Sequence, residues 1–187
     1  KLQNVATKLI GDRVQIKIAR IEKGQIFFEI VRAGKEDAAC CPGEVLELCW
    51  HMTPQGLKEI VMPTTSQRLT PEIMAYGKWV LRYWDFDKPM TDAVEINLKY
   101  DDGRIFGSGG CNRYFSQVKP GAMLGAISTG RVGSTRMACP ESVMAVENRF
   151  FKQLGGVNKF GFMAGQLALS YQIEGVWGVM LLDKQQL

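Results

Sequence analysis

The feature that most constrains this fold is how apolar residues recur, in short runs alternating with polar ones and closed by turn dipeptides. Residues 13–22 place Val14, Ile16, Ile18 and Ile21 at nearly every second position, the spacing of a half-buried strand. Lys23-Gly24 supplies a turn, since glycine tolerates positive φ. Residues 25–31 are β-branched and aromatic and predict the return strand of a hairpin. After a polar stretch and Cys40-Cys41-Pro42-Gly43, two more strands are predicted over 45–52 and 57–62, around Thr53-Pro54-Gln55-Gly56. Residues 1–62 therefore read as a four-stranded antiparallel meander. Its core is thin, and its exposed edges favour pairing with a second copy of the chain as a homodimer.

Pro63, Thr64, Thr65, Ser66 and Pro71 mark residues 63–73 as a linker. A second domain, 74–187, is predicted to hold strands over 79–85, 94–100, 104–109, 123–128, 158–163, 166–172 and 176–182. Asp101-Asp102-Gly103 forms the hairpin turn between the second and third of these. Trp79, Tyr83, Trp84 and Phe86 supply core on one strand face and, by alternation, an exposed patch on the other. One amphipathic helix is predicted over 140–154, with Pro140 at its first position and Gly155 capping its end. Val143, Val146, Phe150 and Leu154 make its apolar face; Glu147, Asn148, Lys152 and Gln153 are assigned mostly to the polar one. The class is α+β, mostly antiparallel β, with the helix laid on a sheet.

Composition then removes whole classes of function. Hydrophobic residues at 46% and charged residues at 22% suit a folded chain rather than a disordered one. No apolar run approaches the ~20 residues of a membrane-spanning helix. The net charge of +4 (23 basic minus 19 acidic residues) is dispersed, unlike a nucleic-acid footprint. A single histidine, His51, leaves little scope for acid–base or metal chemistry, so no catalytic residue, metal or cofactor is assigned. His51 shares a strand face with Cys49 but has no third residue to orient it, which makes it structural. Cys40, Cys41 and Cys49 do not have the C-x₂-C spacing of zinc sites. A disulfide is expected instead, between Cys49 and one of the adjacent pair or with an upstream cysteine. Residues 107–110 and 128–133 are glycine-rich without matching a phosphate-binding loop, so they are expected to bend or pack closely. The chain opens Lys1-Leu2-Gln3-Asn4, as a processed or truncated precursor would.

Gly109-Gly110-Cys111-Asn112-Arg113-Tyr114, then Ser134-Thr135-Arg136-Met137-Ala138-Cys139 and the helix, resemble the META domain of the HslJ-like heat-shock family over about residues 74–185. Trp79-Val80-Leu81 and Leu167-Ala168-Leu169 look like its first and late strands. The family pattern has a glycine before an aromatic after Cys-Asn, whereas here Tyr114-Phe115 follow Arg113 directly. The resemblance implies a compact antiparallel sheet with one helix, exported or lipid-anchored in the bacterial envelope and tied to stress tolerance, with no established catalysis. Gly11-Asp12-Arg13-Val14-Gln15-Ile16 and Asp37-x-x-Cys40-Cys41-Pro42 resemble a segment of exported proteobacterial proteins, the tail of a larger module.

Within the motifs, Cys111 and Cys139 read as a disulfide worth about 3–4 kcal/mol, as two buried thiols, or as a reactive thiol at Cys139 beside the helix N-terminus. Asn112, Arg113, Thr135 and Arg136 either contact an anionic ligand or partner, or satisfy the backbone of the loops around the cysteines. The leading expectation is a non-enzymatic periplasmic or outer-membrane-anchored protein that binds a protein or envelope component. The alternatives are a proteinaceous inhibitor of a hydrolase and a thiol redox protein using Cys139.

Overall fold

The computed structural model describes residues 4–38, 41–62, 66–91 and 93–185. They divide into two compact units, Lys1–Leu69 with Phe162–Gly165 and Thr70–Gly161 with Gln166–Leu187. Of the predicted linker, Pro63, Thr64 and Thr65 lie outside the described residues, as does Cys40.

The first unit is an antiparallel meander of β1 (Gln15–Glu22), β2 (Gln25–Arg32), β3 (Glu44–Thr53) and β4 (Gly56–Ile60), in chain order. The short β5 (Gln67–Arg68) pairs back onto β3. Lys23 and Gly24 both take positive φ, 49° and 76°, as a two-residue turn matched to strand twist requires. The register of β1 slips between Ile16 and Ile18. Lys17 sits at this irregularity, buried and ion-paired with Glu29. Ile30, Val31, Val45, Leu46, Cys49 and Trp50 form the core, with Phe28 set edge-on to Trp50 at 5.4 Å.

The second unit starts with a 3₁₀ turn, Pro71–Ala75. Its strands are β6 (Lys78–Trp84), β7 (Lys88–Pro89), β8 (Asn97–Asp101), β9 (Arg104–Ser108), β10 (Arg113–Pro120), β11 (Ile127–Thr129) and β12 (Gly133–Ser134). After the helix α1 (Glu141–Gly155) come β13 (Val157–Met163), β14 (Gln166–Ile173) and β15 (Val176–Gln185). The sheet runs β11-β10-β9-β8-β6-β15-β14-β13, so β6 lies between β8 and the late strand β15. Ala126 bridges Lys159, and the N–H of Phe160 donates to the carbonyl of Gly125 at 2.8 Å, which brings the sheet close to a barrel. Trp79, Leu98, Phe150, Leu154, Phe160, Leu167 and Met180 are almost wholly buried, and the Trp79 indole donates to the Met74 carbonyl.

β10 was not predicted. Its inward residues are Tyr114, Ser116 and Val118, whereas an aromatic, Phe115, points outward, so its polarity hides the period of two. Ser116 is tolerated inside because its hydroxyl donates to the Gly130 carbonyl at 2.9 Å. The strand expected over 123–128 shrinks to β11, because the N–H of Ala126 closes a turn onto the Met123 carbonyl, with Gly125 at φ 72°. Pro140 is the N-cap rather than the first helical residue, with an extended ψ of 143°, and the C-cap is Gly156. Phe150 and Leu154 are buried on the inner face as predicted, but Glu147 and Gln153 are buried with them at 1% and 8% exposure. Helical spacing explains this: Glu147 lies four residues after Val143 and three before Phe150, on the same side as both.

Phe150 meets Tyr114 edge-on at 5.1 Å and has no solvent exposure. Phe150→Ala is expected to lower unfolding free energy by about 3–5 kcal/mol in urea titration. Phe86→Ala, at 61% exposure, is expected to cost about 0.5 kcal/mol or less.

Candidate functional site

The turn from β9 to β10 brings Cys111-Asn112-Arg113 beside α1 and the segment that precedes it. Two glycines make the approach possible. Gly110 holds φ +113°, and a Cβ on it would lie 2.5 Å from Val94; a Cβ on Gly109 would lie 2.7 Å from the Phe151 ring. Cys111 and Cys139 are joined by a disulfide across 28 positions of sequence.

Glu147 fastens this region. One carboxylate oxygen, Oε2, accepts the backbone N–H of Cys111 at 3.1 Å and of Asn112 at 2.6 Å, and Oε1 accepts the Asn112 amide at 2.7 Å. Asn112 is 2% exposed and its amide is fully used. Its Oδ1 accepts the Thr135 hydroxyl at 2.8 Å and the Met137 N–H at 2.7 Å, and its Nδ2 also reaches the Met137 carbonyl at 3.4 Å. The Thr135 hydroxyl oxygen accepts the Arg113 N–H at 3.2 Å, and the Thr135 N–H returns a bond to the Arg113 carbonyl at 3.0 Å. Asn112 and Thr135 therefore spend their polar atoms inside the frame, and the side chains of Arg113 and Arg136 are exposed.

Glu147 is the residue missed from sequence, although its position between Val143 and Phe150 carried the signal. Of the remaining cysteines, Cys49 is a buried thiol facing Gln25 Oε1 at 3.9 Å, and Cys41 is half-buried at the end of a turn closed by its own N–H on the Ala38 carbonyl.

The frame fixes one end of an outer sheet face. Along β8, β9 and β10 inward and outward residues alternate, so Lys99, Phe106 and Phe115 stand in one row across three strands. Phe106 and Phe115 are directly opposed and exposed at 39% and 47%. Phe115 lies over Gly133 of β12, where any Cβ would meet the ring at 2.7 Å, and the Arg104 guanidinium sits 5.3 Å from the ring centre. With Arg113 and Asn97 the row lines an open cleft of about 810 Å³. Beneath it the Tyr114 hydroxyl donates to the Asn97 carbonyl at 3.0 Å, and burial pushes its pKa far above the usual phenol range.

A second network ties the other half of the helix to the sheet. Gln153 donates to the Tyr171 hydroxyl at 2.7 Å, Tyr171 donates to Asp85 at 3.0 Å, and Arg149 pairs with Asp85 while stacking on Trp84 at 4.3 Å. Burial works against ionisation of Asp85, but the bonds from Tyr171 and Lys88 outweigh it, and its pKa lies below the usual carboxylate value.

The model of the META domain matches residues 72–182, more than half of the chain. No curated protein matches the sequence significantly. A solved NMR structure of a protein from Burkholderia xenovorans is similar, at 20% identity and a TM-score of 0.48, over 70% of this chain and 96% of that one.

Glu147→Gln places N–H donors against N–H donors, so it is expected to cost about 2–4 kcal/mol by urea unfolding, against less than about 0.5 for the exposed Glu141→Gln. Asp85, with its lowered pKa, contributes stability above its unfolded value of about 3.9 and loses it as pH falls through the folded one. Urea midpoints at pH 7 and pH 3 should therefore differ less in Asp85→Asn than in the parent.

Proposed function

This chain belongs to the META domain family, and from that premise we propose that it is a non-enzymatic protein of the bacterial cell envelope that supports stress tolerance by binding another protein or envelope component. The observation that carries this reading is the opposed, exposed pair Phe106 and Phe115 on the outer face of β8–β10. Single apolar residues on a surface are ordinary, but two large rings side by side, framed by cations over an open cleft, have the composition of a contact surface. The support beneath the face is rigid. A disulfide, a buried carboxylate and a saturated asparagine hold the strand ends, so binding there requires little ordering of the protein.

Export is part of the same reading. A disulfide is at home in an oxidising compartment, and Cys139 in that bond serves as a fastening rather than as a thiol nucleophile.

The test is photo-crosslinking in intact cells of the source bacterium, with a photoreactive phenylalanine analogue at Phe115. A discrete adduct with an envelope component is expected, absent when the probe replaces Lys152 and lost when Phe106→Ser is added. No adduct from position 115, or the same adducts from both positions, would sink the reading.

A further inference from the structure

The arginines of this chain fall into two groups. Arg13, Arg20, Arg32, Arg68, Arg82 and Arg149 each have a carboxylate partner. Among the described residues, Arg104, Arg113, Arg131 and Arg136 have none in the ion pairs formed, and all four fall in the stretch from the first residue of β9 to the start of α1. Lys99, in the row of Phe106 and Phe115, is likewise outside every ion pair formed among the described residues. A guanidinium exposed beside an apolar patch and left without a carboxylate has its full bidentate capacity available to an incoming anion.

The register sets the spacing of these charges. Arg113 is two residues before Phe115 on β10, and Arg104 is two residues before Phe106 on β9; the strands are antiparallel, so the two arginines flank the phenylalanine pair from opposite sides. Two residues of strand advance about 6.7 Å, so the backbone positions of arginine, phenylalanine pair and arginine follow one another at about that interval, with the Arg104 guanidinium leaning in over the Phe115 ring at 5.3 Å. An extended peptide laid along β10 repeats its own side chains on one face at the same interval. We propose that this face takes an extended acidic segment of a partner protein, with an apolar residue on the Phe106–Phe115 pair and a carboxylate two positions to either side, on Arg113 and Arg104. Asp101, opposite Arg104, and Asp102 in the adjoining turn put negative charge at that end of the face, which disfavours a run of carboxylates extending past it. Phosphate- or uronate-bearing glycans share the anionic chemistry, but they lack a single apolar side chain at the midpoint between charges to match the ring pair.

The proposal rests on the reading of this face as a binding surface, and the experiment separates the two. Isothermal titration of the full chain uses a synthetic peptide carrying glutamate, leucine and glutamate at alternate positions, the same peptide with both glutamates changed to glutamine, and a polyuronate oligosaccharide. The glutamate peptide is expected to bind, to weaken about tenfold in Arg104→Gln with Arg113→Gln, and to weaken similarly in Phe106→Ser with Phe115→Ser. Affinity should also fall with added salt, and the glutamine peptide should not bind. Thermal unfolding of both double variants checks that the exposed substitutions leave the fold intact. Equal binding of the two peptides, affinity unchanged in the variants, or no peptide binding would overturn the acidic-segment proposal. Polyuronate binding lost in the same variants would replace the peptide by a glycan and leave the surface standing. An adduct from Phe115 without peptide binding rejects this inference alone, whereas absence of the adduct rejects the surface itself.

Discussion

The second unit depends on one buried carboxylate. Glu147 approaches the sheet from the middle of α1 and accepts three N–H groups from Cys111 and Asn112, all at the point where the chain must turn from β9 into β10. Desolvating a carboxylate is unfavourable unless hydrogen bonds replace its water, and here the loop backbone provides them. The obligation is mutual, since two backbone N–H groups at the tight turn lack sheet partners and would otherwise be buried unpaired. Helix position, loop shape and the start of β10 are therefore specified together. The disulfide adds a covalent limit to a geometry that the carboxylate and Asn112 define.

This division of labour turns the most distinctive polar residues inward, onto the loops themselves. Asn112 and Thr135 look like recognition residues by type, but their atoms are consumed in holding two loop segments together. What they hold in place is the start of β10, the strand that carries Arg113 and Phe115. The outward arginines complement that arrangement, because a cation already paired within the protein would have to break its bond before making a new one.

Much of the fold was legible because its signals are local. The Lys23-Gly24 and Asp102-Gly103 turns, the near-alternation in β1, the β-branched and aromatic run of β2, and the apolar stripe of Phe150 and Leu154 each fit within a few residues. The failures share a different cause. β10 carries a serine inward and a phenylalanine outward, an exchange that makes sense only once Gly130 supplies an acceptor and Gly133 a floor for the ring. Glu147 was set on the polar face by its charge, although helical geometry put it among the apolar residues; its partners lie some 35 positions away in sequence. The cysteine and asparagine motifs were visible as residues, but their roles depended on that distant carboxylate, and the aromatic pair was invisible without the strand that creates it.

The place of β6 has its own consequence. The strand that opens the sheet of the second unit is hydrogen-bonded along one edge to β15, about a hundred residues later, with partners running from Met180↔Trp84 to Gln185↔Lys78. Until that late segment has been synthesised, β6 presents an unpaired edge, and the sheet cannot be closed through its middle by anything the ribosome has already made. Closing the middle of this sheet therefore depends on contacts of high sequence separation, the kind whose loop-closure entropy must be met before they form. The C-terminal strand is in this sense the keystone of the sheet, since the strand that opens the unit gains its second neighbour only from the strand that ends it.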